Sequence, residues 1–422
     1  MRIEDIVLRK IFDSGGKPTI EVELSCEGVR AMAQIPTGKS RGKNEAAVKE
    51  YADAKRILDG EVKKEIIGKD FKSIGELDKF LIVLDGTENK SRLGGNLILG
   101  ISVAFTKVLA ASNKKEVWEV LRDEFFAGAP ETKPFDKAQD KLVIFSNLIN
   151  GGEHAANNLN IQEYLVLMTA RASFVESIGK LTDFYFKLGD ILRKKSGKKI
   201  LAIGAEGGYS LDFKNNFDPL DILGGLIKKT GLSGELALGL DCAATNFYKL
   251  SHLSAKHSER WEGKGKNYVF DKKKMTSDKL LAEYLEFFKK SKLLASIEDP
   301  FAETDYDGFK KLKKAAEDKI IVGDDLTTTN AASIKMFADN GLISGVIIKP
   351  NQIGTVTETC AAMNMAREKG IKSIVSHRSG ETEDIFIVHL AKAGGAYGLK
   401  MGAPVRERIF KFNEVIRIYD AR

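Results

Sequence analysis

Cysteine is scarce: Cys26, Cys242 and Cys360 stand far apart in 422 residues, without a Cys-x-x-Cys spacing. That excludes a disulfide-stapled scaffold and leaves buried free thiols in a reducing compartment as the expectation. No run of 18 or more apolar residues occurs, and the N-terminus MRIEDIVLRK lacks the apolar core of a signal peptide. No membrane partner is expected, and the expected location is the cytoplasm. The net charge of +7 comes from scattered lysines, with short clusters at Arg193-Lys194-Lys195 and Lys272-Lys273-Lys274. Neither aromatic interleaving nor a nucleic-acid module accompanies them, so they read as a solvated surface with no nucleic-acid partner. Only five histidines are present, and a lone histidine is first to be read as a satisfied core group.

What the chain does contain is ample core. Apolar residues make up 43% and charged residues 30%, which at this length predicts two domains, one of them large. Residues 3–36 read as a three-stranded meander, with turns at Asp13-Ser14-Gly15-Gly16 and Glu27-Gly28. A polar loop, Pro36-Thr37-Gly38-Lys39-Ser40-Arg41-Gly42, follows, and helices are expected over 44–58, 74–84 and 94–113. The small residues Gly94, Gly95, Gly100 and Ala104 would let the last one pack closely. The boundary falls in Pro130-Glu131-Thr132-Lys133-Pro134, giving an α+β domain over 1–134 and a second domain over 135–422.

The second domain repeats one device. Short apolar runs end abruptly in chemistry-bearing residues: Asp241, Glu298, Asp324, Lys349, His377-Arg378-Ser379 and Lys400. From Glu298 the steps are 26, 25, 28 and 23 residues, and Asp241 lies 57 before it, about two such units. A buried strand plus a helix needs about 25 residues, so the period predicts a βα barrel carrying functional side chains at its strand ends. Asp241, Glu298 and Asp324 would then converge as hard oxygen ligands, which favours Mg²⁺. Lys349 can act as a base if nearby positive charge, from Lys400 and the metal, lowers its pKa. Glu163 and Glu206, on the other half of the barrel, can supply an acid on the opposite face of a substrate. His377, Arg378 and Ser379 suit a phosphate or carboxylate. His154 lies in a glycine-rich barrel-end segment, which favours a functional role.

These residues carry a resemblance. Ser376-His377-Arg378-Ser379-Gly380-Glu381-Thr382-Glu383-Asp384 resembles the enolase signature, and Lys349-Pro350-Asn351-Gln352-Ile353-Gly354-Thr355 is similar to that family's KVNQIGT. Asn150-Gly151-Gly152-Glu153-His154-Ala155, Ile297-Glu298-Asp299-Pro300-Phe301, Asp324-Asp325-Leu326 and Leu84-Asp85-Gly86-Thr87 resemble further family motifs, so that nearly the whole chain is covered. The resemblance implies reversible, Mg²⁺-dependent dehydration of 2-phosphoglycerate, a small phosphorylated substrate, in glycolysis and gluconeogenesis. It makes Lys349 the base at C2, Glu206 with Glu163 the acid pair, and Asp241, Glu298 and Asp324 the metal ligands. Lys400 would neutralise the substrate carboxylate, Arg378 and Ser379 would hold the phosphate, and His154 would close over the site, with His377 catalytic. Gln162 and Gly38 would join the substrate-binding residues, and Ser40 would hold a second Mg²⁺ arriving with substrate. Glu21 and Arg417 would form a cross-subunit ion pair, implying a homodimer or an octamer of dimers.

The chain departs from the family pattern at Gly15, Lys39, Arg41, Ala205, Asn246 and Ala155-Ala156. These departures surround the primary set without replacing it. They keep two other readings open: a relative acting on a different carboxylate, and a catalytically weak binding paralogue.

Overall fold

A computed structural model of the chain describes residues 1–38, 42, 44–128, 142–250 and 266–420. Ser40, Lys39, Arg41 and the expected boundary at 134 lie outside the described residues. The N-terminal part is an antiparallel meander of β1 (Ile3–Phe12), β2 (Pro18–Cys26) and β3 (Val29–Gln34). The helix Gly95–Ser112 packs across β2 and β3. A Cβ at Gly100 would lie 2.4 Å from Val22 Cγ2, so the glycine is what permits the close approach expected of it. By length and composition this helix could cross a membrane, yet 83% of it is buried within the fold as the core of this domain.

The helices expected over 74–84 and 94–113 occur at Ile74–Asp85 and Gly95–Ser112. The helix expected over 44–58 begins only at Tyr51 and continues through a π turn, Leu58–Val62, to Ile66. Its start is delayed because backbone groups of 46–49 bond elsewhere. Ala46 N–H donates to Gln352 O, Ala47 N–H to Asn89 O, and Lys49 N–H to Asn96 Oδ1. Leu58, Val62 and Ile66, all fully buried, continue one apolar face and carry the helix on.

The second part is a closed eight-stranded barrel. Its strands are β4 (Val143–Asn150), β5 (Glu163–Thr169), β6 (Leu236–Asp241), β7 (Leu294–Glu298), β8 (Ile320–Gly323), β9 (Gly345–Ile348), β10 (Lys372–Ser376) and β11 (Gly398–Lys400). They neighbour one another in chain order, and β11 closes on β4. Val143, Phe145, Leu165, Leu167, Ile320, Val322, Ile347 and Ile374 form a separate cluster. They are inward-pointing residues of β4, β5, β8, β9 and β10.

One feature departs from a uniform βα repeat. β5 is antiparallel to both β4 and β6, whereas the other pairs are parallel. Reversal turns the strand's first residue, Glu163, toward the mouth at which the parallel strands end. The two parts join at the signature loop: Thr37 and Gly380 exchange backbone hydrogen bonds of 2.7 and 2.9 Å. Any side chain at 380 would sit 2.2 Å from Asp13 Oδ2, so glycine is required there.

Candidate active site

Strand register gathers the charged residues. Glu163 pairs with Asp241 across β5 and β6, and Asp241 with Glu298 across β6 and β7, which sets three carboxylates in one row. Lys400, at the end of β11, reaches this row with its Nζ. It lies 3.0 Å from Glu163 Oε2, 3.0 Å from Asp241 Oδ2 and 2.9 Å from Glu298 Oε2. Lys400 is buried, yet these acids hold its ammonium well above the ordinary lysine value. Gln162 Nε2 also donates to Asp241 Oδ2, at 3.4 Å.

Lys349 ends β9 and starts a short helix, Pro350–Ile353. Its backbone N–H donates to Thr329 Oγ1 at 2.9 Å, and its ammonium bonds Asp324 directly. The expectation that positive neighbours lower its pKa is therefore corrected. Burial, Arg378 and Lys400 do push it down, but Asp324 and Glu298 push it up, and the balance leaves Lys349 raised. Asp324 is correspondingly lowered: burial opposes its charge, and Lys349 overrides it. Gln352 Nε2 completes its surroundings, donating to Asp324 Oδ1 at 3.0 Å.

Glu206 sits in a tight turn between two short paired segments, Ala202–Ile203 and Tyr209–Ser210. Asn147 Nδ2 donates to it at 3.0 Å, and His377 Nε2 and His154 Nδ1 stand 3.5 and 3.7 Å away. His154 Nδ1 is also 3.4 Å from Glu163 Oε1. The two glutamates are pushed apart. Glu163 is raised well above the carboxylate range by burial and by Glu206, and Lys400 only partly offsets this. Glu206, although burial opposes its charge, is held well below that range by His377, His154 and Arg408. Glu163 is thus biased toward holding a proton and Glu206 toward the anion, the division an acid pair needs.

Burial takes His377 down to about 4, against the pull of Glu206. Arg408 Nη1 lies 3.0 Å from His377 Nδ1. A guanidinium only donates, so Nδ1 accepts and Nε2–H faces Glu206. An NMR titration of the imidazole is expected to show His377 neutral until pH approaches 4. The folded value lies below the ordinary 6.5, so His377 should cost no stability above that value. Stability should decline as pH falls from there toward 4. A midpoint near 6.5 would contradict this arrangement.

Gly38, His154, Gln162, Glu163, Glu206, Asp241, Asp324, Lys349, His377, Arg378, Ser379 and Lys400 line one cavity at the barrel mouth, and Glu298 underlies it through Lys400. Sequence reasoning missed four residues that shape this cavity. Glu45 and Asn351 hold the Arg378 guanidinium, and Gln352 holds Asp324. Arg408, fully buried, donates to the carbonyls of Ala205, Arg378 and Ser379 at 2.6–3.1 Å. Glu45 carried only a local signal, a carboxylate in an expected helix. Arg408 lies beyond the last strand end, so no strand-end pattern reaches it.

Asp241, Glu298 and Asp324 are brought to the mouth as expected, but each is engaged by a lysine. Their chemistry nevertheless fits a hard dication. Burial, Asp241 and Asp324 raise Glu298 well above its ordinary value, a sign of excess negative charge. Gln162 Oε1 adds a buried oxygen with no hydrogen-bond partner. A second grouping was not expected: His154, Glu163 and Glu206 place ligand atoms within 4.8 Å of one another.

A barrel whose mouth combines a buried lysine, a split pair of glutamates and a row of carboxylates defines an α/β-barrel lyase-type site. The chain belongs to the enolase family. Residues 141–421 match the enolase C-terminal TIM barrel domain, and residues 3–121 match the enolase N-terminal domain. Enolase-family proteins typically bind Mg²⁺, in agreement with the donor set.

Proposed function

We propose that this protein is an enolase, dehydrating 2-phosphoglycerate reversibly to phosphoenolpyruvate in glycolysis and gluconeogenesis. The observation carrying this reading is one cavity that presents Lys349, the pair Glu163–Glu206 and the anion-binding group Arg378–Ser379 together. A C2 proton needs a base, a C3 hydroxyl leaving as water needs a proton donor, and a phosphate needs a guanidinium fork. Lys349 takes the first role once Asp324 no longer holds its ammonium. Glu163, raised and protonated, delivers the proton to the leaving hydroxyl, while ionised Glu206 and neutral His377 keep it oriented. Lys400 faces the substrate carboxylate. Mg²⁺, held by Asp241, Glu298 and Asp324, with a second ion at Ser40, would supply charge stabilisation for the enediolate.

The test is the appearance of phosphoenolpyruvate absorbance from 2-phosphoglycerate, with Mg²⁺ and with a chelator. Metal-dependent turnover supports the reading. Its absence, with C2 proton exchange on some other 2-substituted carboxylate, would replace the substrate and keep the base.

We further propose a cytoplasmic homodimer, or an octamer of dimers, with neither nucleic acid nor membrane as partner. Within one chain Glu21 already pairs with Arg9 at 3.1 Å, and Arg417 with Glu116 and Glu414 at 2.7 and 2.6 Å. A cross-subunit pair would have to exchange or share these partners. Light scattering at micromolar concentration decides it, and a monomer would sink the proposal.

A further inference from the structure

The group meant to bind the phosphoryl oxygens is already bound to an anion of the chain itself. Arg378 Nη1 and Nη2 lie 3.3 and 3.4 Å from Glu45 Oε2 and Oε1, so one carboxylate faces the guanidinium fork with both oxygens. Asn351 Oδ1 accepts from Nη1 at 2.8 Å. Arg378 and Glu45 both have largely buried side chains, 5% and 7% exposed. This is not a surface pair that solvent screens to nothing.

Glu45 also has ties on its other side. Its Oε1 accepts from Gly42 N–H at 3.1 Å and from Gln352 Nε2 at 3.4 Å. The same Gln352 Nε2 donates to Asp324 Oδ1 at 3.0 Å, and Asp324 holds Lys349. One carboxylate thus ties the phosphate arm to the acid that holds the proposed base.

We propose that Glu45 is a positioning residue and an internal competitor for Arg378. It occupies the guanidinium fork until a substrate phosphoryl group displaces it, and thereby sets affinity for that group. This rests on the reading of Arg378 as the phosphoryl-binding residue. A guanidinium takes an oxyanion end-on through Nη1 and Nη2 or side-on through Nε and Nη2, and the two Glu45 oxygens in front of Nη1 and Nη2 occupy the places that two phosphate oxygens need end-on. Phosphate binding must therefore either break the Glu45 contact or carry its repulsion. In both cases Glu45 weakens binding, while holding the arm and Asp324 in line for the reaction.

The test uses the full chain and inorganic phosphate in isothermal titration calorimetry without metal. Glu45→Gln retains an acceptor for Gly42 N–H and removes the charge, and is expected to tighten phosphate about tenfold. Asn351→Asp, which adds a carboxylate beside Nη1, is expected to weaken it about as much, so a folding failure of one variant leaves the other informative. In an Arg378→Ala background Glu45→Gln should have no effect. In steady-state assays with 2-phosphoglycerate, Glu45→Gln should lower KM and kcat together, a split that mere loosening would not give. Unchanged or weaker phosphate binding in folded Glu45→Gln, no effect of Asn351→Asp, or no phosphate binding by the parent chain would each overturn the proposal. Calorimetry needs no turnover. A chain that binds phosphate with this dependence but leaves 2-phosphoglycerate intact would overturn the reaction reading and keep this one.

Discussion

Replacing Lys400 by methionine is expected to destabilise the metal-free protein by about 3–5 kcal/mol, the range for breaking a buried ion pair from one side. Lys400 Nζ stands within 3.0 Å of oxygens from Glu163, Asp241 and Glu298, and all four residues are buried. Methionine fills similar volume and leaves three carboxylates facing one another without a cation. The loss should depend on pH in a definite direction. Glu163 and Glu298 are already raised in the parent chain, with burial the largest cause and Lys400 opposing it. Removing that opposition raises them further, so the folded variant binds more protons than its unfolded chain. Its stability is then highest below the ordinary carboxylate value and falls as pH rises through the raised folded values. Denaturant unfolding at pH 5 and pH 8 checks this: the deficit should be larger at pH 8. A deficit equal at both would mean that packing, and not charge, accounts for the loss.

Lys349→Ala carries the largest expected effect on turnover. Loss of a positioned general base costs about 10²–10⁴ in rate, and the upper part of that range is expected where no described neighbour is free to replace it. The other ammonium lining the mouth among the described residues, Lys400, is engaged by Glu163, Asp241 and Glu298. Exchange of the C2 proton with solvent deuterium, followed by NMR, reads this step apart from loss of the hydroxyl. It should vanish in Lys349→Ala and persist in Glu163→Gln. Exchange surviving in Lys349→Ala would move the base elsewhere. The substitution also releases Asp324 from its nearest cation; because Lys349 contributes most to holding Asp324 low, ahead of Lys400 and Arg378, that carboxylate should titrate higher in the variant.

Much of this was written along the chain in a form local physics can read. Short apolar runs of two to five residues ending in Asp, Glu, Lys or His at a period near 25 specify strands with functional ends. Glycine at 100, where a Cβ would strike Val22, marks a close packing before any fold is known. The family motifs extended that reading to roles, and the site residues within the described chain do meet at one mouth.

Tertiary structure decided the rest, because it depends on which groups become nearest neighbours. The reversal of β5 is set by pairing with β4 and β6 on both sides, and it is what turns Glu163 into the site. The start of the helix at Tyr51 is set by Gln352, Asn89 and Asn96, which take the backbone groups of 46–49. The charge state of Lys349 follows from Asp324 lying in contact with it, since Coulomb energy falls with distance and spacing along the chain carries no such distance. For the same reason Glu45, 333 residues from Arg378 in sequence, could be recognised as its partner only when the N-terminal domain was seen closed against the barrel.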